Sequence, residues 1–140
     1  MSHAGNDWVS PYWQNVPHPD PFGKPSRWSI AQLHILNPGP TESQVRIRFF
    51  DMFGHLIFED APTAWPRNVL VMGAPAAGGN LGWCHISSEQ PVVPSGLTGF
   101  LTNKDTGFVS MTFYSADPAL REYAPERARR AGRAGVPWPR

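Results

Sequence analysis

The sequence predicts an all-β chain, an antiparallel β-sandwich of immunoglobulin-like or jelly-roll-like type, with an extended N-terminal arm and a short C-terminal helical tail. Three observations predict it. Residues 44–50 alternate Gln44, Arg46 and Arg48 with Val45, Ile47 and Phe49, the period of a strand with one dry and one wet face. Further short alternating segments recur between turn residues, the spacing expected of a sandwich. The 140 residues include 16 Pro and 13 Gly but only 16% charged residues, which favours turns and extended backbone over helix.

The length fits one domain, and composition divides the chain into 1–27, 28–115 and 116–140. Residues 1–27 hold Pro11, Pro17, Pro19, Pro21 and Pro25 together with Trp8, Tyr12, Trp13 and Phe22. Proline at this density argues against helix and central strand. Disordered tails are poor in aromatics, so the arm is expected to lie against its own domain or a neighbouring subunit. From Trp28 the period is two, with Ala31, Leu33 and Ile35 on one face and Gln32 and His34 on the other. Asn37-Pro38-Gly39-Pro40 is a turn. The strand Val45–Phe50 then leads through Asp51-Met52-Phe53-Gly54 into His55–Asp60, with Gly54 free to take positive φ. Strands are expected at Arg67–Met72, at Gly82–Ser87, at Pro91–Leu101 with a break at Pro94 and Gly96, and at Gly107–Ser115.

The C-terminal part differs. Asp117-Pro118 has the form of a helix N-cap followed by N1, and Ala119–Ala124 is expected to make about two turns before Pro125. Residues 121–140 carry six Arg and two Glu, whereas residues 1–120 carry six Lys or Arg and nine acids. The net charge of +1 therefore hides a basic tail. The single Cys84 excludes an internal disulfide. No apolar run reaches the roughly 18 residues of a membrane-spanning helix, and no charged-then-apolar leader is present at the N-terminus. The expected address is the cytoplasm or a particle assembled there.

Leu36-Asn37-x-Gly39, the alternating strand Val45–Phe50 with its glycine turn, and Ser88-x-x-Pro91-Val92-Val93 resemble the soluble sensory rhodopsin transducer family. The resemblance spans roughly residues 28–114. It implies a small β-sandwich that forms oligomers and acts by binding, without a known catalytic site. The Pro/Trp-rich arm and the Arg-rich tail depart from the family pattern.

The residues carry no strong catalytic pattern. Of His3, His18, His34, His55 and His85, none lies in a zinc motif; convergence of His34, His55 and His85 on a metal is a minority possibility. Cys84 and His85 are adjacent on a strand and point to opposite faces, so they cannot pair directly; Cys84 reads as a small buried residue. Ser95 lacks a nucleophile elbow. The glycine-rich run Gly73–Asn80 lacks the Lys-Ser/Thr of a phosphate loop. Glu59 and Asp60 alternate in direction. The chain is therefore read as non-enzymatic, with no cofactor.

Tryptophan is the remaining signal. Trp8, Trp13, Trp65 and Trp138 stand near proline in arms and loops, where aromatics serve as interface anchors. The expected contact residues are Trp8, Tyr12, Trp13, Arg46, Arg48, Trp65, Arg127, Arg130 and Trp138, with Arg46 and Arg48 forming a polar contact face. The expected function is a binding and assembly module whose arms clasp neighbouring subunits or a partner protein. Alternatives are a carbohydrate-binding module working through Trp65 and Trp83, and a decoration or tail component of a virion. The Arg127–Arg133 cluster also leaves nucleic acid or an acidic membrane surface open as partners.

Overall fold

A computed structural model describes residues 4–15, 18–19, 25–73, 80–102 and 106–125. Its strands are β1 (Gly5–Asn15), β2 (His18–Pro19), β3 (Pro25–Leu36), β4 (Ser43–Asp51), β5 (Leu56–Asp60), β6 (Thr63–Ala64), β7 (Val69–Gly73), β8 (Asn80–Thr102), β9 (Thr106–Ser110) and β10 (Tyr114–Ser115), followed by a 3-10 helix, Pro118–Glu122. The all-β expectation holds, and the pairings are antiparallel.

The first sheet runs β10–β1–β8–β4–β5 and the second β7–β3–β8–β9, with β2 on the start of β3. Strand β8 belongs to both. Its first half pairs with β1 and β4, and its second half with β3 and β9. Between the sheets lies one core that includes Trp8, Trp13, Leu33, Ile35, Ile47, Phe49, Ile86 and Val92. The alternation that predicted β4 places Val45, Ile47 and Phe49 in this core, with Phe58 of β5 packed against it.

Three expectations need correction. Within residues 1–27, β1 is not an arm appended to a domain, because it is an interior strand of the first sheet, held between β8 and β10. Proline density misled here: Pro11 sits where the β1–β8 register shifts, between Ser10 and Trp13, and an irregular position of that kind tolerates a missing N–H. Likewise, Pro94 and Gly96 do not break the chain. At Pro94 the strand is paired with β3 opposite Ile35, while the β9 ladder begins only at Leu97, so one side needs no donor. At Gly96 a Cβ would lie 2.8 Å from Gln32 O and 2.9 Å from Met111 Sδ, and glycine is what lets the strand continue. Finally, the C-terminal element is a single 3-10 turn with Asp117 as N-cap, accepting from Ala119 N at 2.9 Å, and not a two-turn α-helix.

The Leu36-Asn37-x-Gly39 motif is a structural knot. The buried Asn37 donates through Nδ2 to Thr41 O and Ala64 O, both at 2.9 Å, and accepts from Gly39 N at 3.0 Å. Its backbone exchanges bonds with Asn68 and Arg67. Asn37→Ala would orphan these groups, each worth about 1–3 kcal/mol when left unpaired. A loss of roughly 3 kcal/mol is expected in urea unfolding; an unchanged midpoint would contradict this role. In the β4–β5 hairpin, Gly54 takes φ 87° while Asp51 Oδ1 accepts from Phe53 N and His55 N. Among the described residues no helix is long and apolar enough to cross a membrane.

Candidate binding surface

Strand pairing lines up three rows on the outer face of the first sheet. Asp7 stands beside Ser87 and Arg46; Val9 beside His85, Arg48 and Glu59; Trp83 beside Phe50 and Leu56. A half-wet strand should leave this face open. Instead, residues 117–123 lie across it, and Arg48 is only 1% exposed.

Arg48 is the centre of the arrangement. Its Nη1 donates to Tyr123 O, and its Nη2 donates to Leu120 O at 2.8 Å and to His85 Nδ1 at 2.9 Å. The guanidinium carbon sits 5.1 Å from the Phe50 ring centroid, within cation–π range. Since arginine only donates, His85 Nδ1 must accept, which leaves the imidazole proton on Nε2, 3.7 Å from Asp7 Oδ1. Asp7 is in turn gripped by Arg121 in two parallel bonds of 2.6 Å, the bidentate geometry that makes such pairs strong. Arg46 pairs with Glu59 at 2.7 Å and donates to Arg121 O at 3.1 Å. Tyr123 completes the layer: its ring lies over Trp83 and Phe50, which stack 4.0 Å apart, and its hydroxyl donates to Gly54 O at 2.9 Å. Beside residue 121 an open groove of about 730 Å³ is lined by Gln44, Arg46, Glu59, Ser87, Glu89 and Arg121.

Burial sets the charges. It lowers the Arg48 pKa, and Arg46 adds to the lowering. Burial first, then Arg48, pushes His85 down to about 4, against an opposing pull from Asp7 and with smaller lowering from Arg46 and Arg121. The hydrogen bond to Asp7 raises Arg121. An unfolded chain protonates this histidine near pH 6.5, so between 6.5 and about 4 the unfolded state holds more protons. His85 thus makes stability fall as pH falls through that window, by about 3 kcal/mol in all. Denaturant titrations across this range should show the slope in the native chain and its loss in His85→Gln. An identical slope in both would place the titration elsewhere.

The remaining expected sites fall as follows. Trp8 and Trp13 are anchors, but into their own core: Trp8 Nε1 donates to Gly5 O and Val92 O, and Trp13 Nε1 to Phe50 O and Trp83 O. Tyr12 and Trp65 are exposed. Arg46 and Arg48 share a face as expected, yet that face is engaged and Arg48 is buried. The carbohydrate reading used Trp83 as an open platform, whereas its ring is covered by Phe50 and Tyr123. Arg127, Arg130 and Trp138 lie outside the described residues.

His34, His55 and His85 are not brought together. His34 faces Gln32 on β3, His55 pairs with Asp51 in a hairpin, and His85 is buried beneath residues 117–123. Among the described residues no three His, Cys, Asp or Glu side chains group to hold a metal. Cys84 is buried in the core, its thiol pushed up to about 12 by that burial. Asp7, Arg121 and Tyr123 escaped sequence reasoning, and His85 entered it only as a metal candidate. Contacts such as Asp7–Arg121 span 114 positions and leave no local pattern.

No family model matches the chain, and no curated protein matches it in sequence. Solved structures do share its fold. The crystal structure of Thermotoga maritima 1070 superposes with a TM-score of 0.66 at 15% identity, covering 81% of this chain and 97% of that one. The Anabaena sensory rhodopsin transducer superposes with a TM-score of 0.50 at 17% identity, covering 67% of this chain and 94% of that one. At these identities the likeness is one of fold.

Proposed function

We propose that the chain is a non-catalytic protein-binding module that self-associates through the outer face of its second sheet. The observation that carries this reading is an apolar stripe on that face. Val69, Leu36 and Val93 stand in one row across β7, β3 and β8; Val71, His34 and Ser95 form the next; Leu97 follows beside Gln32. Val69 and Val71 are each 54% exposed. These rows contain no Asp, Glu, Lys or Arg, so two copies can meet face to face without like-charge repulsion, as a twofold contact requires. Strand β7 pairs only with β3 among the described residues, and an uncovered apolar edge is a place where chains associate. The fold shared with a protein named a sensory rhodopsin transducer supports a role exercised through protein contact.

Light scattering of the purified chain at tens of micromolar is expected to give a defined oligomer. Val71→Lys, a change on an exposed position, should lower the native mass while leaving the thermal midpoint within about 2 °C. A native chain that is already monomeric would sink the reading.

A further inference from the structure

The segment covering the first sheet is held as a ligand is held. Three of its backbone carbonyls are read by arginines: Leu120 O and Tyr123 O by Arg48, and Arg121 O by Arg46. Two side chains are read by sockets. Arg121 enters the buried Asp7 carboxylate, and Tyr123 lies on the Trp83–Phe50 stack with its hydroxyl on Gly54 O. The receiving groups Asp7, Arg48 and His85 are buried, whereas none of residues 118–122 is. The segment is laid on the sheet and contributes nothing to the core. The fit is also incomplete, because two buried nitrogens of the socket, Arg48 Nε and His85 Nε2, have no hydrogen-bond partner among the described residues. Buried donors are normally satisfied.

We propose that the outer face of the first sheet is a peptide-recognition site for a short 3-10 turn carrying Arg and, two residues on, Tyr, and that the plug formed by residues 117–123 exchanges between copies of this chain. The recognition is by backbone carbonyls and two side chains, so the same segment of a second copy makes the same contacts. Its own plug holds the advantage of tethering, equivalent to a millimolar local concentration, and exchange becomes visible when that advantage is removed. The proposal rests on self-association only in calling for a second copy. It concerns the opposite sheet and is tested with Val71→Lys present, so that the second-sheet contact is silent.

Two full-length variants make the test. Asp7→Arg breaks the socket and leaves the plug intact; Arg121→Asp breaks the plug and leaves the socket intact. Each alone is expected to remain a single chain in native mass spectrometry, and an equimolar mixture is expected to yield a mixed dimer. Both changes on one chain should restore the native thermal midpoint. A mixture without mixed dimers overturns the proposal, as does a double variant no more stable than the single ones. Should Asp7→Arg fail to fold, a labelled peptide of residues 117–125 is titrated onto full-length Tyr123→Ala, whose altered residue is exposed. Binding at least tenfold tighter than to the chain with its intact plug is expected, and loss of binding when the peptide carries Asp at position 121. Absence of saturable binding to Tyr123→Ala overturns the proposal.

Discussion

Trp13→Ala should cost about 3–5 kcal/mol, the range for truncating a buried tryptophan. Domains of this kind are stable by only about 5–15 kcal/mol, so truncating this one side chain removes about a fifth or more of the net stability. Trp13 is 0% exposed. Its ring meets Phe49 edge-on at 5.0 Å, and its Nε1 joins Phe50 O of β4 to Trp83 O of β8. Alanine would leave a cavity and two carbonyls without their donor. The neighbouring backbone is close: a Cβ at Gly82, the register partner of Trp13, would lie 1.8 Å from Phe50 O. Strands this tightly apposed have little freedom to collapse into the space, which places the expected cost high in the range. By the same reasoning, deletion of residues 1–15 should abolish cooperative unfolding, since it removes Trp8, Trp13 and an interior strand. A truncated chain with a normal unfolding transition would show that β1 is dispensable.

Arg48→Met should release residues 117–123. Methionine keeps much of the apolar stem but removes every donor. Bonds from a charged donor contribute about 1.5–3 kcal/mol each, and Arg48 makes three. Desolvation of the guanidinium, visible in its lowered pKa, offsets part of that gain. The net loss expected is roughly 3 kcal/mol, or about 10 °C in the thermal midpoint. The local signature matters more. The amides of Leu120 and Tyr123, bonded to Asp117 O and Leu120 O, should lose their protection in hydrogen exchange while amides of β4 and β8 keep theirs. Retained protection at both positions would mean that Asp7–Arg121 and the aromatic stack hold the segment by themselves.

The period-two pattern determined much of this protein without reference to its tertiary structure. Side chains on a pleated strand alternate by geometry, so the inner faces of β3 and β4, the hairpin with Gly54 at positive φ and the all-β class were legible from neighbours in sequence. So was Asp117 as a cap, because capping is local. Proline was the misleading local signal. Its effect depends on whether a partner strand needs the missing donor, as Pro11 at a register shift and Pro94 on a one-sided stretch show. Only the tertiary structure decided what covers the wet face of β4. Arg48 looked solvated because alternation reports which face a residue is on and not what lies above that face. The answer arrives from residues more than 70 positions away, placed there by β10 pairing with β1. Burial by a distant segment, with the shift it imposes on His85, arises from chain topology and has no counterpart in local spacing.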